Sequence, residues 1–472
     1  MGTISAALSL ITGALEADQA ALNVVANNVA NANTAGYTEE KPNWRQNAPI
    51  DVAGILVGSG VTETGSSSQR DRVLLERLDQ QQQSASASGS RLEALNGMQA
   101  LFTPNAGLSS AAGDIATDIT SFFNSFATLE GDPTNNALRE QVLSSAATLA
   151  GDVSSAANSL NAQRVSLDQE AGSVVSQVNS LTSAIAQLNL QIQSASPKSD
   201  AGTLEDERQQ DLSQLSQLVG INQITTENNG VSITTTSGQL LVSEGQNLQL
   251  SSGMVNGTTE FFLGGTDVTA QLASGGGQLG GYLTARDGDI SAALGGLDQL
   301  AYGIATAVNA QNNAGVDLNG ETGTAANPLN LFGEPAQVQG SAAAMSVVMT
   351  DPGQIAAAGA GNGTGDNSNA VAMADLAKQT VVNGQTPINS YSNFVSTLGA
   401  TVAEVQMENS AQNASVTQLQ AQNNALSKVN LNDEAAAMSL LETSYQAASQ
   451  VFSILNSIMS SALNLGVETA VS

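Results

Sequence analysis

The 472-residue chain contains no cysteine and no histidine, only 13 lysines and arginines, and 3% aromatic residues. Without cysteine there is no disulfide, no thiolate nucleophile and no thiolate metal ligand. Without histidine the commonest general base is gone, and with it the triads built on imidazole. No glycine precedes a lysine, which excludes a Walker A loop, and no SxxK occurs. A carboxylate-pair glycosidase is compatible with 42 acidic residues, but so few aromatics leave little for a sugar to stack on. The formal charge of −29 opposes a phosphate backbone, so no nucleic-acid partner is expected. The acidic surplus instead keeps an apolar-striped chain in solution.

Neither end carries a long hydrophobic run. No basic residue precedes Lys41, so a cleavable secretory signal is not expected. The early apolar residues are interleaved with Asn, Thr, Asp and Gln, which argues against membrane insertion, and Ala6 stands where myristoylation needs Ser or Thr. Two locations are compatible with this: the cytoplasm, or the outside reached without a cleaved signal.

What is present is periodicity. Ile4, Ile11 and Val25 occupy one heptad position and Leu8, Leu15, Leu22 and Val29 another, with Asp18 breaking the pattern. More than 400 residues later Met438, Tyr445, Phe452 and Met459 keep a seven-residue spacing, and Leu441, Ala448, Leu455 and Ala462 keep the position three residues on. Both read as coiled-coil seams. A single helix has no core of its own. The terminal helices therefore need each other or a neighbouring subunit, and the two seams are the candidate assembly interface.

The spacing predicts a first helix over 3–31, ended by the turn formers Asn33, Thr34, Ala35 and Gly36. The stretch NNVANANTAGY (27–37) is dense in asparagine, with Asn27, Asn28, Asn31 and Asn33 close to Tyr37. Their amides either cap backbone groups locally or hydrogen-bond across a subunit interface. Residues 38–75 read as an irregular or short-strand linker. From 85 to about 218 the pattern is helical, with long helices expected at 105–130 and 135–195. Alternation such as VSITTT between Asn-Gly and Gly-Gly turns predicts β hairpins from 221 to about 272. GGGQLGG (275–281) carries a GxGxxG spacing without the buried strand a nucleotide site needs, so it reads as a turn into a helix starting near Leu279. DLNGE (317–321) misplaces its glycine for a calcium loop and reads as a solvated turn. Residues 321–370 are irregular, with a short strand expected at 345–349, and helices return from 368.

Several of these stretches resemble a known family. NNVANANTAGY is similar to the N-terminal signature of the bacterial flagellar axial proteins, the rod, hook and hook-associated proteins. NLNDEAAAMSLLETSYQAASQVFSILNSIMSSAL resembles their C-terminal signature, with Asn432 in place of Asp and Thr443 in place of Gln. DERQQDLSQLSQLVGI (206–221) and LGGYLTARDGDISAALGGLDQLAYGIATAVNAQNNAGVDLNG (279–320) resemble the hook-associated branch that forms the hook–filament junction, with Asn312 where His is usual.

The resemblance implies a fold that is mainly α with a β-rich insertion. Terminal helices (1–75 and 429–472) would pair as an inner coiled coil, a helical bundle (76–220, 279–320, 371–428) would surround it, and 221–278 would form an outer β domain, with 321–370 near it. It implies a non-enzymatic structural subunit without cofactors, secreted through the flagellum's own channel. Its partners would be copies of itself in a ring, the hook protein, hook-associated protein 3, and an export chaperone at the C-terminal helix. Another axial subunit of the rod or hook, an enzyme carried on an axial scaffold, and a non-flagellar coiled-coil surface scaffold are the competing readings.

Overall fold

The computed structural model describes residues 2–52, 55–103, 114–195, 201–226 and 229–468. Helix α1 (Gly2–Asn31) leads to strands β1 (Glu40–Gln46), β2 (Ile50–Val52), β3 (Ile55–Val57) and β4 (Val61–Ser68). Four helices come next: α2 (Arg72–Phe102), α3 (Ile115–Leu129), α4 (Asn136–Ala195) and α5 (Thr203–Leu218). Strands β5 (Ile221–Thr225), β6 (Val231–Thr235), β7 (Leu240–Ser243), β8 (Gln246–Asn247), β9 (Leu250–Val255), β10 (Thr258–Leu263) and β11 (Thr266–Asp267) form the insertion. The chain ends in α6 (Thr269–Ala273), α7 (Gly277–Thr284), α8 (Ile290–Ala314), α9 (Ser341–Ala344), α10 (Ser368–Asp375), α11 (Pro387–Ser427) and α12 (Leu431–Glu468).

The helical body is organised on α4, sixty residues long, or about 90 Å at the usual rise. It buries Val142, Leu149, Val153, Leu160, Val174, Val178 and Ile185, the three-and-four spacing that brings one helix face to the core. Against its first half lies α3, whose Phe122 meets Phe126 and Phe332 at ring-centroid distances of 5.5 and 5.6 Å. Helix α2 begins where the Asp71 carboxylate accepts from the Val73 and Leu74 amides, both at 3.0 Å, a side-chain cap for orphan donors. It runs beside α5, α7 and α11. The helix expected at 105–130 is observed from Ile115 to Leu129; positions 105–113 of that expectation lie outside the described residues.

The LGGYLTARD stretch owes its composition to packing. At Gly281 a Cβ would overlap Ser90 Oγ and the Ala87 carbonyl, so only glycine lets α7 cross α2 this closely. Arg286, 1% exposed, sits in a π-helical turn over Ala285–Asp289. It donates to Asp287 at 2.7 and 2.8 Å, to Asp168 at 2.7 Å and to the Thr259 carbonyl at 2.6 Å. One buried guanidinium thus joins α4, the β insertion and the α7–α8 bend, with its charge fully paired.

The insertion is a four-stranded antiparallel sheet in the order β5-β6-β7-β8 and a three-stranded one in the order β11-β10-β9. Both are fastened to helices by side-chain amides. Asn179 of α4 donates to the Leu250 carbonyl and accepts from the Leu250 amide, each at 2.8 Å. Asn189 does the same with Val231 at 2.8 and 3.1 Å, and Gln83 of α2 with Ile221 at 3.0 and 3.2 Å. Each clamped residue is the first of its strand.

Of the two forms open to the linker at 38–75, short strands are found: β1 pairs antiparallel with β4, with a register shift between Pro42 and Trp44, and β2 pairs with β3. Proline is tolerated because β1 has a partner on one side only. Two expectations are corrected. The strand expected at 345–349 reduces to an isolated bridge, Phe332 to Val347. The chain on either side is tied to α8: Asn309 clamps Phe332 at 2.9 and 3.0 Å, and Asn312 donates to the Leu329 carbonyl at 2.6 Å and accepts from the Ala356 amide at 2.9 Å. The turn at 317–321 is buried at its head: Asp317, 1% exposed, accepts from the Asn319 and Glu321 amides at 2.8 Å.

Two consequences are measurable. Gly281→Val should lower stability by about 1 to 3 kcal/mol or more in chemical unfolding, since neither Ser90 nor the Ala87 backbone has room to yield. Asp79 of α2 is 1% exposed and accepts from Gln223 and Gln209 at 2.8 and 3.0 Å. Burial pushes its carboxyl up to about 6, against the hydrogen bonds that favour ionisation. A raised acid stabilises the fold below the unfolded value near 4, and that contribution is lost as pH rises through about 6. Asp79→Asn should therefore remove on the order of 2 to 3 kcal/mol of pH dependence between about 4 and 7, read from unfolding midpoints.

Candidate assembly site

Helices α1 and α12 lie antiparallel: Asn28, near the end of α1, meets Glu434, near the start of α12. On α12 most of the seven-residue positions are half-buried. Met438, Leu441, Phe452, Leu455 and Met459 are half-buried, and Tyr445 is exposed. On α1 the buried face is rotated slightly from the expected one. Val25 is buried, Ile4, Leu8, Ile11, Leu15 and Leu22 are half-buried, and Val29 is exposed. The most buried residues are Ala17, Ala21 and Asn28, with Asp18 beside them. Leucine spacing points to the larger side chains, whereas the deepest burial falls on small ones, on a helix that packs against β1 and β4 as well as α12. The signal for it in the sequence is the run Ala14, Ala17 and Ala21.

The asparagine motif resolves around Asn28. Its amide donates to the Glu40 carbonyl and to Glu434 Oε1, both at 2.8 Å. Its oxygen accepts from the Glu40 amide at 3.0 Å and from the Tyr37 hydroxyl at 2.8 Å. Both donors and the acceptor oxygen are used, so the residue is satisfied while 1% exposed. The chain returns to it through a turn in which Gly36 has φ +80°, a left-handed conformation that glycine adopts without strain. Asn27 and Asn31 pair with each other at 2.8 Å on the exposed side, and Asn33 is exposed. Asn28 satisfies the backbone groups of Glu40 and also reaches Glu434 of α12 within the same chain; the four asparagines are not brought into one site.

The surroundings of Asn28 are acidic. Burial, then Glu40, Asp206, Glu434 and Glu39, push the Tyr37 hydroxyl up to about 12. Burial also raises the Glu434 carboxyl, opposed by the Asn28 hydrogen bond.

A second set of contacts, which sequence reasoning does not reach, ties this unit to the helical body. Thr38 donates to Asp206 through its amide at 2.9 Å and its hydroxyl at 2.7 Å. Arg70 bridges Glu205 at 2.5 Å and Asp206 at 2.6 Å, and Arg72 joins Glu205 at 3.0 Å. Arg208 donates to Asn189 Oδ1 at 2.9 Å, and burial lowers its guanidinium to about 10. The short blocks Arg70-Asp71-Arg72 and Glu205-Asp206 have opposite charge, which is the one legible clue. Beyond the seam, α12 exposes a further apolar stripe of Leu440, Val451, Ile454 and Ile458. Among the described residues no group of three or more His, Cys, Asp or Glu is placed to hold a metal, and no helix is long and apolar enough to cross a membrane.

Residues 105–326 match the family model described as the helical domain of the flagellar hook-associated protein FlgK. Residues 11–38, which contain the Asn28 hub, match the flagella basal body rod protein model. Flagellar hook-associated protein 1 of Escherichia coli is 27% identical, with 97% of this chain and all of that protein covered. Along nearly its whole length the chain is similar to flagellar hook-associated protein 1. The Bacillus subtilis member is 26% identical over 96% of each chain. The Salmonella typhimurium member is 30% identical over 66% of this chain and 57% of its own length. A solved structure, the flagellar hook junction protein FlgK from Burkholderia pseudomallei, shares the fold with a TM-score of 0.64 at 20% identity, covering 74% of this chain and 99% of that one.

Asn28→Ala should strip partners from the Glu40 amide, the Tyr37 hydroxyl and Glu434 together. The expected loss is on the order of 2 to 3 kcal/mol of local stability, seen as faster amide exchange at residues 20–31 and 431–440 with exchange in α4 unchanged.

Proposed function

We propose that the chain is the structural subunit at the junction between the flagellar hook and filament, and that it polymerises there through α1 and α12. One observation carries the reading: a terminal unit of the type shared with rod proteins is joined to a helical body of the hook-associated type. A rod or hook subunit accounts for the first and not the second. In this role residues 1–75 and 429–472 form the inner unit, copies form a ring, and the subunit is secreted to the growing flagellum. Hook protein lies on one side and hook-associated protein 3 on the other. The exposed stripe on α12 supports a requirement for cover, by an export chaperone before assembly and by neighbouring subunits after it. Buried charge pairs and amide clamps hold the parts in register, and the role calls for no cofactor or reacting group.

Leu15→Lys and Leu455→Lys place a charge in the half-buried seam of α1 or α12. Each should leave the helical body folded, with α4 protected from amide exchange, and block incorporation at the hook tip and motility. Normal motility and junction assembly in both variants would overturn the proposal.

A further inference from the structure

Asp18 interrupts the α1 seam at the heptad position that it shares with Ile4, Ile11 and Val25. It is 8% exposed, and it makes no hydrogen bond or ion pair among the described residues. Every other buried charged side chain among them has at least one, as with Asp298, which accepts from the Gly340 and Ala342 amides at 2.9 and 2.8 Å. A carboxylate kept from water without a donor opposes the folding of the chain that carries it. An apolar residue there would serve the single chain better, and the best-attested use of such a group in a seam is to fix the register between helices.

The seam around Asp18 is left open by the chain itself. Ile11, Leu15 and Leu22, within two turns of Asp18 on the same side of α1, are only half-buried. Cations that answer a carboxylate are scarce in the terminal unit. Residues 429–472 contain no Lys or Arg, and residues 1–75 contain Lys41, Arg45, Arg70 and Arg72. Lys41 lies 3.4 Å from Glu39, and Arg70 and Arg72 are both paired with Glu205. Arg45 of β1 is exposed and makes no hydrogen bond or ion pair among the described residues.

We infer that Asp18 is a register pin between subunits, and that the Arg45 guanidinium of a second copy supplies its missing donor. The inference rests on the assembly proposed above and names a contact within it. Within one chain the two groups stay unpaired although β1 packs against α1. A second copy is favoured because the same unit carries both halves of the pair, one on α1 and one on β1. A head-to-tail contact repeated around a ring then gives every Asp18 one Arg45, and the guanidinium fork matches a carboxylate.

The test uses full-length chains assembled on isolated hooks. The chain has no cysteine of its own, so single replacements report cleanly. Asp18→Cys and Arg45→Cys chains, mixed, assembled and treated with a short bismaleimide, should yield a link from position 18 of one copy to position 45 of another, identified by mass spectrometry. Assembled material without that link would overturn the inference. Asp18→Val completes the heptad and should unfold at or above the wild-type midpoint, yet its half-assembly concentration should rise about tenfold, the effect of one charge-assisted hydrogen-bonded pair. Arg45→Ala should unfold at the wild-type midpoint with the same rise, and the double variant should assemble no worse than either single one. Assembly of both single variants at the wild-type concentration, or effects that add in the double variant, would overturn the inference. Absence of assembly by the unmodified chain would instead remove the junction reading on which it rests.

Discussion

The arrangement depends on the pairing of a side-chain amide with both polar groups of one backbone residue. Extended chain that lies against a helix cannot satisfy its outward N–H and C=O groups from that helix, whose own backbone is internally bonded. A planar amide resolves this by offering a donor and an acceptor at the right separation. Asparagine and glutamine therefore serve here as structural residues inside the molecule, where apolar contact alone would leave buried backbone groups unpaired at a cost of about 1 to 3 kcal/mol each.

The two principal junctions use different physics. The helical body is closed by apolar packing along α4 and the phenylalanine cluster, which is insensitive to small changes of solution conditions. The inner pair meets that body through Thr38, Arg70, Glu205 and Asp206, all polar or charged. Breaking one member of such a set leaves a buried charge behind, so the joint resists partial opening. It fixes an orientation more than it supplies stability.

Much of this is legible in the chain. The 60-residue helix, the alternating strands and the α12 seam emerge from periodicity, because a buried face imposes a repeat on the sequence. The clamps are not legible: one asparagine in a helix looks the same whether it faces water or a strand edge. Asn312 illustrates the point, since nothing local to it announces Leu329 and Ala356 as partners. The buried face of α1 differs from the expected one by a fraction of a turn because a search for large apolar residues does not register the small buried ones, Ala17 and Ala21. The ribbon at 40–68 is obscured by Pro42 and Pro49, and its regularity comes from a partner strand some twenty residues away.

The positions of the clamped residues have a further meaning. Glu40, Ile221, Val231 and Leu250 each open a strand, and each is indexed to a helix independently of the strand before it. A one-residue slip would turn a strand's inward side chains outward, and such an error would ordinarily propagate along a meander. Here β1, β5, β6 and β9 each restart their count against a rigid ruler, so the loops before them are free to lengthen or shorten without disturbing their alignment.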